Sequence, residues 1–166
     1  SKRFSGRSEV ILWFTKSDNY YFDLDSVRVK QKYPSKKYYK GPNKGKYSSN
    51  KLGKNPSDYW DDIPCDIWDN IPNVKGNHIE KIDHPCQFPI GLIERLVLSM
   101  TKKDALVFDP FAGVCSSGAA AALHGRRFWG CELNPEYCKQ GEQVLNKALT
   151  NKLKYRPHDK PLYDYK

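Results

Sequence analysis

The chain has 166 residues with 28 Lys+Arg against 19 Asp+Glu, a formal charge of +9; that length suits one ordinary domain and excludes a large multidomain enzyme. Hydrophobic residues make up 39% and aromatics 13%, enough for one modest core beside a large share of polar loop. No run approaches ~18 apolar residues, and no apolar stretch follows the basic start Ser1-Lys2-Arg3-Phe4-Ser5-Gly6-Arg7. Neither a membrane span nor a secretory signal is therefore expected, and the expected location is cytoplasmic.

In chain order, Glu9–Phe14 and Tyr20–Leu24 read as the two strands of a hairpin about the turn Ser17-Asp18-Asn19. From Ser26 to Lys54 there are ten Lys/Arg and no acid, so this segment carries +10 and the remainder −1. Its lysines, among them Lys30, Lys32, Lys36, Lys37, Lys40, Lys44 and Lys46, are interleaved with Tyr33, Tyr38, Tyr39 and Tyr47 among Gly, Pro, Ser and Asn. No period of 2 or 3.6 is sustained, which predicts a long irregular insertion. Such a segment suits a polyanion: ammonium groups replace condensed counterions at phosphates, and phenol rings stack on bases. Residues 55–82 are rich in Asn, Asp and Pro, and Asp58–Pro64 is echoed by Asp66–Pro72 eight residues on, too short a period for a solenoid repeat. The two tryptophans of that echo are expected to anchor an extended segment to the core.

From Pro89 the pattern changes. Leu92, Ile93, Leu96, Val97 and Met100 make the stripe of an amphipathic helix with a proline in its first turn. Ala105–Phe108, ending in Asp109, is a short continuous apolar run that predicts a buried parallel strand. The turn Pro110–Gly118 leads into a small-residue helix, Ala119–Leu123, with Ser116 or Ser117 as cap and Gly125 as stop. Arg127–Cys131, ending in Glu132, is the next strand. Asn134 and Pro135 then open a helix to about Leu149 as N-cap and first-turn proline.

The five cysteines form no CxxC pair, and His78, His84 and Cys86 match no zinc spacing, so free thiols and no metal are expected. Strand, glycine-containing turn, helix, strand and acid, with Asp109 and Glu132 separated by 23 residues, form the arrangement a nucleoside cofactor needs: backbone access at the turn and a hydrogen-bond acceptor for ribose hydroxyls. A dinucleotide site would want Gly-x-Gly-x-x-Gly, and Gly113-Val114-Cys115 disfavours it.

Three blocks carry a resemblance: His84-Pro85-Cys86-Gln87-Phe88-Pro89, Asp109-Pro110-Phe111-Ala112-Gly113, and Gly125 through Glu132-Leu133-Asn134-Pro135-Glu136-Tyr137. Together they closely resemble the S-adenosylmethionine-binding half of the permuted amino-group DNA methyltransferases, the adenine-N6 and cytosine-N4 enzymes of restriction-modification type. The similarity continues through Ile11–Lys16 and Gly53–Asp58 and fades after about Thr150. It implies an α/β, Rossmann-like methyltransferase sheet, incomplete here, with the basic insertion as target-recognition segment and double-stranded DNA as partner. It further implies S-adenosylmethionine as cofactor, with Asp109 and Phe111 on its methionine and adenine side, Gly113 giving backbone access and Glu132 taking the ribose hydroxyls. His84 and Phe88 would border the same pocket. Lys30, Lys32, Lys36, Lys37, Tyr38, Tyr39, Lys40, Lys44 and Lys46 become the DNA-contacting candidates.

Two departures stand out. Cys115 occupies the position of the family's usual second glycine, where a Cβ and sulfur would crowd the cofactor or shift the turn. The family's Asp/Asn/Ser-Pro-Pro-aromatic tetrapeptide, which activates the exocyclic amine and stacks on the flipped base, is absent: the 166 residues contain no Pro-Pro. The permuted order places that motif before Ser1, so the expectation is a C-terminal portion of a longer enzyme, or one half of a split one with a second subunit. No catalytic residue is named, and the chain by itself is expected to be inactive. The expected organisation is hairpin strands at 1–25, recognition insertion and linker at 26–83, cofactor half at 84–150 and polar tail at 151–166. Other readings of the same residues are a cytosine-N4 enzyme, an RNA methyltransferase and a non-catalytic nucleic-acid-binding module.

Overall fold

The computed structural model describes residues 10–56, 74 and 78–158. The Asp/Pro echo at 58–72 with its two tryptophans, Cys65 and the last eight residues lie outside the described residues.

The ordered centre is built from α1 (Ile90–Met100), β1 (Leu106–Asp109), α2 (Ser116–Leu123), β2 (Arg127–Gly130) and α3 (Pro135–Leu149). Strands β1 and β2 are parallel and in register, Leu106 opposite Arg127 and Asp109 opposite Gly130, so α2 is the crossover that a parallel pair requires. This is the α/β unit expected from the sequence. Alternation fixes which sheet face is covered. Val107 and Phe128 turn toward the helices, whereas Leu106, Phe108 and Trp129 remain 49%, 55% and 66% exposed on the other side.

Helix α2 forms the middle of the core because it is made of alanine. Ala119, Ala120 and Ala121 are fully buried, and their short side chains let α1 and α3 approach it from both flanks. Ile90, Val97, Val144 and Ala148 close the cluster, with Val107, Leu123, Leu153 and Tyr155 at its border. The Phe128 ring fills the space between two glycines: a Cβ on Gly118 or Gly130 would come within 2.8 or 2.6 Å of it.

Several expectations are corrected. Residues 10–24 contain no strand. Val10, Leu12 and Phe14 are 79%, 71% and 83% exposed, so no neighbouring sheet holds their alternation; the chain instead folds back through aromatic contacts, Trp13 meeting Tyr20 edge-on at 5.1 Å and Phe22 stacked at 5.4 Å. The buried face of α1 holds only part of the predicted apolar stripe, Val97 in the core with Ile93 at its border. It carries Glu94 and Arg95 beside Ile90 and Val97, because hydrogen-bonded partners compensate the buried charges. Pro89 is the N-cap of α1 rather than a residue of its first turn. Neither Ser116 nor Ser117 caps α2. Cys115 occupies that position in a left-handed conformation (φ 66°), and both serines lie inside the first turn.

The stretch after Thr150 packs against α1 as far as His158. Glu80 accepts the Ile90 amide at 2.8 Å and the Arg156 amide at 2.9 Å. Glu94 accepts the His158 amide at 2.7 Å, the Tyr155 hydroxyl at 3.1 Å and a hydrogen bond from His124 at 2.6 Å. Gly91 permits the contact, since a Cβ there would lie 2.8 Å from the Arg156 carbonyl oxygen.

Candidate cofactor-binding site

The C-terminal ends of β1 and β2 bring Asp109 and Glu132 to neighbouring loops, which is where open parallel sheets bind ligands. Asp109 organises the first loop: one carboxylate oxygen accepts the Phe111 amide at 3.0 Å and the other the Ser117 hydroxyl at 2.5 Å. The turn then reverses through two left-handed residues, Gly113 (φ 52°) and Cys115 (φ 66°). Ser116 ties the same turn to the His-Pro segment by donating to the Phe88 carbonyl at 2.8 Å.

Glu132 links the two loops. Its Oε2 accepts the Gly113 amide at 2.9 Å and its Oε1 the Asn134 amide at 2.8 Å. The Asn134 amide chiefly holds its carboxyl below the ordinary range, against some desolvation, with help from the Gly113 and Leu133 amides and the nearby His84. The group is thus an oriented carboxylate, each oxygen holding one backbone amide. Asn134 also caps α3, accepting the Glu136 amide at 2.9 Å, so the start of that helix and the acid are fixed together.

His84 lies over the Gly113 turn. A Cβ on Gly113 would sit 3.2 Å from His84 Nε2, and the imidazole meets the Tyr137 ring edge-on at 4.5 Å. The Cys86 amide donates to His84 Nδ1 at 3.2 Å, which places the proton of the neutral ring on Nε2. Phe88 and Phe111 are 47% and 88% exposed, and Leu133, next to Glu132, is 98% exposed.

Asp109, Phe111, Gly113, Glu132, His84 and Phe88 are therefore carried on connected loops. Cys115 is different: it is 6% exposed, and its sulfur occupies the space that a Cβ on Gly118 would need. The side chain points into the core and does not crowd the outer face of the turn. Burial pushes its thiol up to about 11, so it is inert. Ser117, Leu133 and Tyr137 were not among the residues expected from sequence. Leu133 and Tyr137 stand inside the resemblance block itself, and an apolar residue beside a strand-end acid is the signal that could have pointed to Leu133.

The basic segment is more ordered than its composition predicts. Val29 and Lys54 exchange both backbone hydrogen bonds, at 3.1 and 2.9 Å, and a second antiparallel bridge joins Lys37 to Tyr47. Between them Gln31 and Ser49 bond across to the carbonyls of Asn50 and Pro34. The result is an arm of two antiparallel segments joined at two isolated bridges. Lys30, Lys32, Lys36, Lys37, Lys40, Lys44 and Lys46, with Tyr38 and Tyr39, are exposed on it, and among the described residues none of these lysines pairs with an acid.

With this geometry in view, the comparisons with known proteins define the class. The N6/N4 methyltransferase family model, described as DNA methylase, matches residues 1–143, and the chain belongs to that family. It is 44% identical over 146 residues to the Type II methyltransferase M.BglII of Bacillus subtilis, a match covering 88% of this chain and 38% of that one. It is 42% identical over 66 residues to the DNA adenine methyltransferase YhdJ of Escherichia coli K12, covering 40% of this chain and 22% of that one. The chain thus spans about two fifths or less of the length of these relatives. Against the crystal structure of an M1.HpyAVI–SAM complex the TM-score is 0.41 at 33% identity, over 43% of this chain and 34% of that one. Among the described residues no helix is long and apolar enough to cross a membrane.

Proposed function

We propose that the chain supplies the S-adenosylmethionine-binding half and the DNA-recognition arm of a site-specific DNA methyltransferase acting on an exocyclic amino group. The observation that carries this reading is the Glu132 carboxylate, ionised and held by two backbone amides at the end of β2, beside the Asp109 loop at the end of β1. Ribose hydroxyls would donate to the free lone pairs of Glu132. Leu133 and Phe111, both exposed, would flank the adenine, and Asp109 and His84 would border the methionine part, with Phe88 behind. Once bound, the cofactor supplies an electrophilic sulfonium methyl. The chain's own residues orient it and leave base activation unassigned, since no Pro-Pro tetrapeptide occurs in the 166 residues. Adenine-N6 is the preferred acceptor, in keeping with the similarity to an adenine methyltransferase. Double-stranded DNA is the partner that the exposed lysines, none paired with an acid among the described residues, fit.

Calorimetric titration of S-adenosylmethionine into the purified chain tests the cofactor half: binding that Glu132→Ala weakens supports it, and no heat from the unaltered chain overturns it. A methyl-transfer assay on duplex DNA with the chain by itself is expected to show no turnover. Robust turnover would overturn the assignment of base activation to groups outside these residues.

A further inference from the structure

The arm divides into a stem and a tip of different chemistry. At the tip, Tyr38 is opposed by two residues: the Gly45 amide donates to the Tyr38 carbonyl at 2.9 Å, and the Tyr38 amide donates to the Lys46 carbonyl at 3.0 Å. With Gly45 left-handed at φ 84°, this is a glycine bulge, a device that bends and twists a ribbon. Beyond it only six residues remain, Tyr39 to Lys44, folded on themselves by the Lys44 amide to the Gly41 carbonyl at 3.0 Å and the Lys46 amide to the Asn43 carbonyl at 3.0 Å. The tip is narrow and self-supporting. Its two glycines are open on the side a Cβ would take: among the described residues, a Cβ on Gly41 or Gly45 would meet nothing within 4 Å.

Resting on the reading of the arm as the DNA-contacting surface, we infer that the tip enters the major groove and reads base edges through Asn43, Lys44, Lys40 and Tyr39, while stem lysines Lys30, Lys32 and Lys36 hold phosphates. Paired backbones about 4.8 Å apart fit a major groove about 12 Å wide, which admits a two-stranded ribbon. An A-form RNA groove is too deep and narrow for one. An Asn amide offers the donor and acceptor that match adenine, Asn43 Oδ1 keeping a second lone pair beside the hydrogen bond it accepts from Lys46 Nζ at 3.3 Å, and a lysine ammonium matches guanine O6 and N7. Tyr39, 82% exposed, has apolar surface for a thymine methyl. The stem lysines carry charge without that mixed donor and acceptor pattern. Lys37 lies 5.2 Å over the ring of Tyr47, its partner across the bridge, and serves the ribbon itself, whereas Lys32 lies 5.7 Å over the ring of its own neighbour Tyr33.

Selection from a randomised duplex DNA pool, with salt titrations, separates the parts in the full 166-residue chain. Lys30→Ala/Lys32→Ala/Lys36→Ala is expected to flatten the slope of log K against log salt by roughly 0.9 for each phosphate left without its ammonium group, with the recovered sequence unaltered. Asn43→Asp, which keeps the size of the tip and exchanges a donor for an acceptor, is expected to change the base recovered at one position roughly tenfold or more. Tyr39→Ala is expected to lose information at one or two positions with little change in slope. If the unaltered chain selects a sequence and both tip variants recover it with equal discrimination, the base-reading tip is wrong while the DNA-binding arm stands. If the unaltered chain binds no duplex, or the stem variant leaves the slope intact, the arm is not the DNA surface and both readings fall.

Discussion

The Gly113 amide donates to Glu132 Oε2 at 2.9 Å, joining the turn after the first strand to the acid after the second. Glu132 thus acts on fold and ligand together. A strand-end acid read from sequence alone would be replaceable at little cost to the fold, but Glu132→Ala strands the Gly113 and Asn134 amides as well. The expected outcome is a loss of S-adenosylmethionine affinity by roughly an order of magnitude or more with a measurable fall in melting temperature. Titration showing unaltered affinity would return Glu132 to a purely structural role.

Cys115 combines a left-handed backbone with a buried side chain. Removing the Cβ relieves about 1–2 kcal/mol of backbone strain, while loss of the packing around the sulfur costs a similar amount. Cys115→Gly is therefore expected to be near neutral and Cys115→Ala, which keeps the strain and loses the sulfur, about 1 kcal/mol less stable than Cys115→Gly. Denaturant unfolding orders the three proteins. Alkylation near neutral pH should label exposed Cys86 and Cys131 and spare Cys115.

Gly113→Ala meets two obstacles, a φ of 52° and the His84 ring. The ring can shift and the backbone angle cannot, so about 1–2 kcal/mol of strain should remain. Adding His84→Ala is then expected to recover little of the stability lost. Full recovery in the double variant, by thermal melting, would show that the imidazole and not the dihedral sets the cost.

Glu94 predicts a pH dependence. Burial opposes its ionisation, but His124, the His158 amide and the charges of His158 and His124 outweigh it and leave the carboxyl below its usual pKa. Arg95 neighbours it on α1 and the Tyr155 hydroxyl donates to it. For a depressed carboxylate, the stability is present above the unfolded value, about 4.3, and is lost as pH falls through the folded one. Glu94→Gln should therefore be less stable near neutrality, by about 1–3 kcal/mol, and flatter than the parent below about pH 4.3. Parallel melting curves for the two proteins across that range would exclude the network as the source.

What was legible in the sequence follows from how local the cause is. The start of α3 was written in two adjacent residues, Asn134 and Pro135, and β1 and β2 in short runs that each end in an acid, Asp109 and Glu132. The turn before α2 was less legible: Ser116 and Ser117 suit a cap by type, but Phe88 and Asp109, distant in sequence, take their hydroxyls. Glu94 reads as a surface charge until His124 and Tyr155 are placed around it. The aromatics of 10–24 favour strands by propensity, yet strand formation needs a ladder partner that the described residues do not offer. In the arm, the backbone hydrogen bonds run between residues up to 25 apart, as Val29 with Lys54, and composition carries no trace of that register.

The contact between Cys115 and Gly141 makes those positions a single unit of variation. A Cβ on Gly141 would lie 3.0 Å from that of Cys115 and 3.3 Å from the Gly113 carbonyl oxygen, so the turn and α3 share space for one methyl group. A library randomised at both positions should pair alanine at 141 with glycine at 115 and return glycine at 141 wherever 115 keeps a side chain. Position 141 varied singly would look intolerant; varied together with 115, the two would exchange a carbon atom across the boundary between turn and helix.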